Sequence, residues 1–565
     1  MLKIAKTLSK GFSHIRVDLF DVDGNVYFGE LTFFDNSGFD TDISYETDLK
    51  WGEKSYFLIV KGIFNMRRKR LFYNTLSSLV FQVTTIICGF ILPRLILSAF
   101  GSEVNGLVNS ITQFLGIISF LELGVGAVVQ SALYKPLAEK KQDDVSKIIS
   151  SANKFFTRIG QILLAYVIAM VVVYPRFAGK NFGFSYTATL IVAISIGSFA
   201  QYFFGIVNRL LLTADQRGYI QYNAQTLAVI CNTVACFILI QLGCSIQIVK
   251  LTTSLIYLLQ PFVIYLYVRQ YYSIDKKIKY TKEPIPQKWN GIAQHVAAVI
   301  LDGTDTIVLT LFATLSDVSV YSVYFLVVKG VKQLFMSMTN GITSLIGELW
   351  AKQELEELNK TFSWTEWVIH TGTTLVFGLT AVLIVPFVRV YTLGIHDANY
   401  IQPLFAALIV AANAGHCLRL PYNIIILAAG HYKQTQRNYI VAAVINIVVS
   451  VVTVKVWGLI GVAIGTLAAM GYQTIWMALY DSRNLIKWPF KNFIKQIFVD
   501  ALTVAIGFFA TRMLSLHTVT YISWGLLAVK TSAVWVIIVL VLNFIFYGNK
   551  ISSLFEKIGS KIRKG

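Results

Sequence analysis

Residues 74–140 read NTLSSLVFQVTTIICGFILPRLILSAFGSEVNGLVNSITQFLGIISFLELGVGAVVQSALYKPLAEK. The stretch contains two apolar runs, each reaching the roughly 20 residues with which a helix crosses about 30 Å of hydrocarbon. Similar runs recur as far as Tyr547. Membrane barrels show short alternating segments instead, so the sequence predicts an all-α polytopic membrane protein.

The composition agrees with this class. The chain has 565 residues, of which 55% are hydrophobic and 14% charged, and its mean hydropathy is +0.61. Soluble domains carry about 25% charged residues. The net charge of +19 lies mostly in short loops and tails beside the apolar runs. Attraction to anionic lipid and the setting of topology explain it, so we expect membrane lipids as partners and no nucleic acid.

Apolar runs and turn residues predict about fourteen transmembrane helices. They lie near residues 71–98, 104–134, 155–174, 185–213, 219–242, 245–268, 291–313, 318–348, 366–388, 401–429, 437–455, 457–480, 493–512 and 518–547. Residues 1–60 carry no cleavable signal pattern, which predicts a cytoplasmic N-terminus. In that orientation 21 cations border the internal loops and 6 border the external ones, and the C-terminus returns to the cytoplasm.

The first twelve predicted helices form two halves of six. LLLTADQRGYIQYN (210–223) aligns with IILAAGHYKQTQRN (425–438), and VNGLVNSI (104–111) aligns with VSVYSVYF (318–325), at nearly the same offset. Two such alignments indicate an internal duplication. Because six is even, both copies cross the membrane in the same direction, so the repeat is parallel, and two extra helices follow it.

These predictions divide the chain into six parts. They are a small N-terminal fragment (1–60), an N-terminal transmembrane lobe (71–268), a basic cytoplasmic linker (269–290), a C-terminal lobe (291–480), two extra helices (493–547) and a basic cytoplasmic tail (548–565).

Ionisable residues at bilayer depth are the candidate functional groups, because each is costly to insert. Asp302 and Asp305 on the seventh predicted helix match the depth of Lys329 and Lys332 on the eighth, and His295 lies on nearly the same face as Asp302. The lysines could bind an anionic head group while the acids or the histidine exchange H⁺ or Na⁺. The structural alternative is a buried ion-pair cluster that only positions two helices.

Three further charges lie in predicted helices. Arg419 lies deep in the tenth and is followed by Pro421, which disrupts helical bonding, so a bent helix would present a fixed cation suited to phosphate. The alternative is a kink whose arginine satisfies the freed carbonyls. Arg94 follows Pro93 near the outer end of the first helix, where snorkelling also explains it. Glu122 in the second helix is either a coupling acid or a partner of Arg419.

Residues 74–140 and LRLPYNIIILAAGHYKQTQRNYIVAAVINIVVS (418–450) resemble the polysaccharide repeat-unit flippases (Wzx type) of the multidrug, oligosaccharidyl-lipid and polysaccharide exporter superfamily. The resemblance covers about 70–550. It implies two lobes around a central cationic cavity. It also implies alternating-access export of an undecaprenyl-pyrophosphate-linked oligosaccharide across the bacterial cytoplasmic membrane, for surface polysaccharide biosynthesis. No cofactor, metal or catalytic residue is expected.

We therefore assign two sets of candidate residues. Substrate binding is assigned to Arg94, Lys329, Lys332 and Arg419, and ion coupling to Glu122, Asp302, Asp305 and His295. The alternative function is a cation-coupled multidrug exporter on the same scaffold, although the deep cations favour an anionic ligand. A membrane enzyme acting on lipid-linked sugars should show a large external loop, and the external loops are short. A non-transporting scaffold is the remaining alternative.

The N-terminal fragment follows a different pattern. HIRVDLFDVDGNVYFGELTFFDNSGFD (14–40) predicts two alternating strands joined at Asp23-Gly24. It resembles the C-terminal end of the TupA-like ATP-grasp family, in which acids at positions like Asp18 and Glu30 would help to bind Mg-ATP. The rest of such a domain is absent here. A fused remnant, or a docking element for polysaccharide biosynthesis enzymes, is the expected role.

Overall fold

The computed structural model describes residues 16–22, 25–32, 45–178, 181–275, 278, 280–281, 283–285, 292–486 and 488–562. The chain divides into two compact units, Met1–Leu79 and Val80–Gly565.

The first unit contains a two-stranded antiparallel sheet. Strand β1 (Arg16–Val22) pairs with β2 (Asn25–Thr32), from Arg16 opposite Thr32 to Val22 opposite Asn25. This pairing matches the strands that the sequence alternation predicts. The predicted turn at Asp23-Gly24 lies outside the described residues.

The helices of the first half of the chain follow. They are α1 (Tyr45–Gly116), α2 (Phe120–Ala138), α3 (Gln142–Phe177), α4 (Phe184–Ala200), α5 (Ile206–Ala214), α6 (Gly218–Gln241) and α7 (Ile246–Tyr271). A 3₁₀ turn (Ile117–Ser119) joins α1 to α2, and a π turn (Gln201–Gly205) joins α4 to α5.

The second half continues the series. Its helices are α8 (Ile292–Phe312), α9 (Leu315–Ala351), α10 (Leu355–Tyr391), α11 (Pro403–Leu418), α12 (Leu420–Ala428), α13 (Tyr432–Trp457), α14 (Leu459–Asn484), α15 (Phe490–Thr511) and α16 (Tyr521–Ile562). The all-α membrane architecture expected from the sequence is confirmed.

Within the described part of the chain, 12 helices are long and apolar enough to cross a membrane. The sequence predicted about fourteen. One of the 12 segments, Phe72–Gly116, contains a break at Gly101, whose φ is 81°. Of α8 (Ile292–Phe312), only Gly303–Phe312 has all of its side chains described, and that part alone is too short to be counted as a span. These two places account for the difference between the two numbers.

The apolar core is divided between the two halves. In the first half the fully buried residues Leu107, Leu133 and Phe156 belong to one cluster. In the second half Tyr324 and Phe405 belong to another. We call these two halves the first and second lobes.

The two extra helices pack on the second lobe. The Trp535 side chain of α16 is fully buried, and a Cβ added at Gly507 of α15 would lie 2.6 Å from its ring. The Trp367 indole of α10 donates to Asn543 Oδ1 of α16 at 2.7 Å. Helices α15 and α16 therefore form one packed layer with α10.

We call the end of the bundle with the connections at 139–141, 215–217 and 429–431 the basic end. The opposite end, with the connection at 392–402, is the distal end. The charge count predicts that the basic end faces the cytoplasm.

Candidate functional site

Asp305 lies at the centre of a buried polar cluster in the second lobe. Its side chain on α8 is only 5% exposed. Tyr321 on α9 donates its hydroxyl to Asp305 Oδ2 at 3.0 Å. The Thr466 hydroxyl on α14 lies 2.7 Å from Oδ1 and 2.8 Å from Oδ2. Donors from two neighbouring helices thus hold a buried carboxylate, for which a charge is costly unless it is bonded.

Further oxygen atoms surround Thr466. Asn446 on α13 donates from Nδ2 to Thr466 Oγ1 at 3.0 Å, and its own Oδ1 is buried without a hydrogen-bond partner. The Val462 carbonyl lies 3.3 Å from the Thr466 hydroxyl. A single hydroxyl hydrogen serves one acceptor at a time, so several oxygens here compete for it. Carboxylate, hydroxyl and carbonyl oxygens are the ligands that hard cations prefer.

Lys332 lies beside the same carboxylate. Its side chain is 7% exposed, and it lines a cavity of about 10 Å³ together with Asp305, Tyr321, His416 and Thr466. Such a cavity admits about one water molecule. The side chains are therefore closed around a space for a small ion or water, and not for a lipid head group.

The other members of the predicted cluster are placed differently. Lys329 lies one turn from Lys332 on α9, but its side chain is exposed. Asp302 and His295 lie on α8 and Glu122 lies on α2; these three side chains lie outside the described residues. The structure therefore joins Asp305 to Lys332 in one cavity and separates Lys329 from it.

Arg419 occupies a break in the tenth predicted helix. It connects α11 to α12, and Pro421 is the second residue of α12. This confirms the interruption that the sequence predicts. The Arg419 side chain is 6% exposed. It donates from Nη1 to Gln473 Oε1 and lies 3.1 Å through Nη2 from His416 Nδ1.

The bonding of this arginine is incomplete. Its Nε is buried without a hydrogen-bond partner, and no ion pair joins it to any side chain that the structure describes. Guanidinium does not deprotonate in proteins, so the positive charge stays in the apolar lobe. His416 contacts Arg419 and also lines the cavity of Asp305 and Lys332. The two predicted cations therefore share one polar region.

At the distal end, hydrogen bonds join the two lobes. The carboxylate of Asp397 accepts from the backbone N–H and the hydroxyl of Ser102, both at 2.6 Å. The Tyr400 hydroxyl lies 2.7 Å from Ser102 Oγ and 2.9 Å from Ser319 Oγ. Burial raises the pKa of Tyr400, which keeps this hydroxyl neutral. Asn105 donates to Ser319 Oγ at 2.7 Å.

Arg94 belongs to this distal closure. It donates from Nη2 to the Leu393 carbonyl at 2.7 Å and from Nη1 to the Tyr391 carbonyl. The Tyr391 hydroxyl in turn donates to the Phe90 carbonyl at 2.7 Å. Arg94 thus binds carbonyls at the C-terminal end of α10, a location favourable for a cation.

A second buried polar network lies between α10, α12 and α15. His370 Nδ1 lies 2.7 Å from Asp500 Oδ2, and Thr374 donates to Asp500 Oδ1 at 2.8 Å. Tyr422 donates to Glu366 Oε1 at 2.7 Å and lies 3.4 Å from His370 Nε2. Sequence reasoning missed these residues. The signal was present, because Glu366, His370 and Asp500 all fall inside predicted helices, as Asp305 does.

Among the described residues no group of three or more His, Cys, Asp or Glu side chains is arranged to hold a metal ion.

Comparison with a family model gives one match, to the TupA-like ATPgrasp family over residues 1–56. This covers about a tenth of the chain. No curated protein matches the sequence.

Solved structures match over most of the chain. Lipid II flippase MurJ in an inward closed conformation is 14% identical with a TM-score of 0.64, over 84% of this chain and 100% of that one. An inward-facing multidrug resistance MATE family transporter of the MOP superfamily is 15% identical with a TM-score of 0.55, over 71% and 95%. The Vibrio cholerae MATE transporter VcmN is 11% identical with a TM-score of 0.54, over 74% and 96%. These likenesses show that the chain has the all-helical fold of these transporters.

Proposed function

We propose that the protein flips undecaprenyl-pyrophosphate-linked oligosaccharide repeat units across the bacterial cytoplasmic membrane by alternating access. The observation that carries this proposal is Arg419, a buried and incompletely bonded guanidinium at a helix break. A buried charge with no counter-ion among the described side chains is unfavourable, and an anion from the substrate would compensate it. Bidentate binding of a phosphate suits the planar guanidinium.

Lys332 extends the positive region toward Asp305, and His416 contacts Arg419 and lines the same cavity. The pyrophosphate would contact Arg419 and Lys332 once the second-lobe helices around the small cavity move apart and widen it. Arg94 lies at the distal closure and Lys329 is exposed. We therefore assign these two cations to positions that the anion occupies before or after it contacts Arg419 and Lys332.

Alternating access requires that the lobes separate at one end at a time. The bonds from Ser102 to Asp397 and from Asn105 to Ser319 support a state in which the distal end is closed. In this proposal the lipid-linked substrate enters from the cytoplasmic leaflet in that state. Breaking the distal bonds then releases it to the outer leaflet.

Asp305 is the proposed site of the coupling ion, H⁺ or Na⁺. Its carboxylate, the Thr466 hydroxyl and the unpaired Asn446 Oδ1 supply oxygens on three helices. The cavity has space for about one water-sized species. Asp302, His295 and Glu122 remain proposed participants because of their positions on α8 and α2.

The deciding experiment is complementation of a deletion strain with Arg419→Gln and Lys332→Met. Both substitutions keep most of the side-chain volume and remove the charge. We expect lipid-linked oligosaccharide to accumulate on the cytoplasmic face, with surface polysaccharide reduced at least about tenfold, the scale of a lost charged hydrogen bond. Lys352→Ala is the matched control, because Lys352 is an exposed cation that pairs with Glu348. Normal surface polysaccharide in both charge variants, at normal protein levels, would refute the binding site.

A cation-coupled multidrug exporter is the second candidate, favoured by the likeness to MATE transporters. A buried arginine and lysine oppose a cationic ligand in the same region. Purified protein separates the two functions. Thermal stabilisation by undecaprenyl pyrophosphate, lost in Arg419→Gln, supports flipping, whereas stabilisation by ethidium that survives this substitution supports drug export.

A further inference from the structure

A groove on the first lobe is not used by any part of the proposed transport. It lies between α3, the π turn and α7, and has a volume of about 960 Å³. A second cavity of about 650 Å³ adjoins it and shares Asn153, Phe203, Phe204 and Tyr265 with it. Together they extend from the middle of the bundle to the basic end.

The walls of the groove differ in chemistry. On α3 it is lined by Lys154 and Arg158, which are exposed and one turn apart, and toward the basic end Arg269 and Asp275 line the adjoining cavity. The facing walls are apolar, with Phe204 of the π turn, Phe262 of α7 and, further from the basic end, Leu258 of α7. No acidic residue is among the described residues that line the larger cavity. The groove thus has a cationic mouth, formed by Lys154 and Arg158, and apolar facing walls.

The two cations at the mouth are held differently. Lys154 Nζ lies 3.4 Å from the Tyr280 hydroxyl and 4.6 Å from the centre of that ring. Neither contact neutralises the lysine. Arg158 makes no ion pair with a side chain that the structure describes, and it is exposed. Two positive charges one helical turn apart therefore have no ion-pair partner among the side chains that the structure describes.

The π turn shapes the interior. Its two consecutive phenylalanines, Phe203 and Phe204, are 38% and 60% exposed. The Phe203 ring rests on Gly160 of α3, where an added Cβ would lie 2.9 Å from it. π turns often occur at functional sites because they displace side chains from the regular helical positions. Here the displacement presents two aromatic rings to the groove.

The second lobe has an equivalent groove, and a helix fills it. Buried residues of α3 recur 213 residues later in α10. The pairs are Val145 and Leu358, Ile149 and Phe362, and Phe156 and Ile369. At the same offset, the stripe Asn153, Thr157 and Gln161 corresponds to Glu366, His370 and Thr374.

In the second lobe that stripe is covered by α15, whose Asp500 binds His370 and Thr374. In the first lobe Asn153 and Thr157 are half-buried, Gln161 is exposed, and all three line the open groove. The chemistry also differs, because Lys154 and Arg158 flank this stripe. The first lobe therefore has a groove equivalent to the one that α15 fills in the second lobe, with two additional cations at its mouth.

We propose that this groove binds one anionic phospholipid of the leaflet at the basic end, in the place that α15 holds in the other lobe. The phosphate would contact Lys154 and Arg158, and an acyl chain would lie along Phe262 and Leu258. Basic pockets between transmembrane helices on the cytoplasmic side recognise anionic head groups in this way. The combination of two exposed cations with apolar facing walls favours such a lipid over a second protein helix.

Native mass spectrometry of the purified full-length protein tests the proposal, with phosphatidylglycerol and phosphatidylcholine of identical acyl chains as probes. We expect the wild type to retain phosphatidylglycerol about tenfold more than phosphatidylcholine, the scale for two cations near an anionic lipid. The double variant Lys154→Ala/Arg158→Ala should retain the two lipids equally. Gln161→Trp, which fills the groove without a change of charge, should lower retention of phosphatidylglycerol.

The matched control is Lys433→Ala/Arg437→Ala. These cations are also exposed and one turn apart, at the basic end of α13, and they line neither of the two cavities of the first lobe. The control should keep the wild-type preference. Equal retention of the two lipids by the wild type, or an unchanged preference in the Lys154/Arg158 variant, overturns the proposal. So does a disulfide-linked dimer formed by Thr157→Cys in membranes, because it would place a second copy in the groove. None of these measurements depends on transport.

Discussion

The Ser102 hydroxyl lies 2.6 Å from Asp397 Oδ1, although the two residues are 295 positions apart and belong to different lobes. Asp397 also accepts from the Ser102 backbone N–H at 2.6 Å. That N–H follows the break at Gly101 and belongs to the first turn of the helix that runs to Gly116. A carboxylate from one lobe therefore caps a helix of the other, an arrangement favoured by the helix dipole.

Asp397→Ala should open the distal end. The substitution removes two hydrogen bonds to a charged group, each of which contributes about 1.5–3 kcal/mol. We expect the population of the distal-closed state to fall at least about tenfold, since about 1.4 kcal/mol corresponds to a factor of ten. Spin labels at Leu242 and Met513, both exposed at the distal end, report the distance between the lobes. His396→Ala, an exposed neighbour, should leave the distance distribution unchanged. An unchanged distribution in Asp397→Ala would show that this contact does not hold the lobes together.

Gly101→Ala should destabilise the protein through the backbone and through Asp397. The φ of Gly101 is 81°, which residues with a Cβ rarely adopt, and the added Cβ would lie 2.8 Å from Asp397 Oδ2. We expect a loss of about 1–2 kcal/mol, seen as a lower melting temperature in detergent. Gly89→Ala is the control on the same helix, because nothing lies within 4 Å of its added Cβ. Equal melting temperatures for the two variants would contradict the proposed strain.

The location of this break is predictable from the sequence, because Gly101 lies between the predicted helices at 71–98 and 104–134. The break at Arg419 was also predictable, since Pro421 acts on local backbone bonding. The limits of α10 were less accurate. It begins at Leu355, 11 residues before the predicted helix, because apolarity marks the part inside the hydrocarbon and not the polar turns before it.

The site was predicted less completely, for geometric reasons. Lys329 and Lys332 are three residues apart on α9, which is slightly less than a full helical turn. Their side chains therefore point in different directions, and Lys329 is exposed whereas Lys332 is buried. Thr466 binds Asp305 from 161 residues away, and no local pattern indicates such a partner. The pair of His370 and Asp500 joins the repeat to the helices added after it, so comparison of the two halves could not reveal it.

His370→Ala and Asp500→Ala should each loosen α15 from the second lobe. Each variant removes the hydrogen bond between His370 and Asp500 and leaves its partner buried, which costs about 1–3 kcal/mol. The double variant should cost clearly less than the sum of the two single losses. Unfolding of the three variants in detergent, followed by the melting temperature, gives this double-mutant cycle. Strict additivity would show that the two side chains act independently.

Asp305→Asn should uncouple transport from the ion gradient and spare substrate binding. The amide keeps the shape of the carboxylate, but it removes the negative charge that Tyr321 and Thr466 now bond. In proteoliposomes with pH and Na⁺ gradients imposed separately, we expect the wild type to respond to one of them and the variant to respond to neither. Binding of undecaprenyl pyrophosphate should remain within about threefold, because a change below 1 kcal/mol is expected where Arg419 is intact. Asp144→Asn, an exposed carboxylate paired with Lys147, serves as the control and should keep the wild-type response. If transport by Asp305→Asn still responds to the gradient that drives the wild type, Asp305 is not the coupling site. Glu122, Asp302 and His295 are then the remaining candidates.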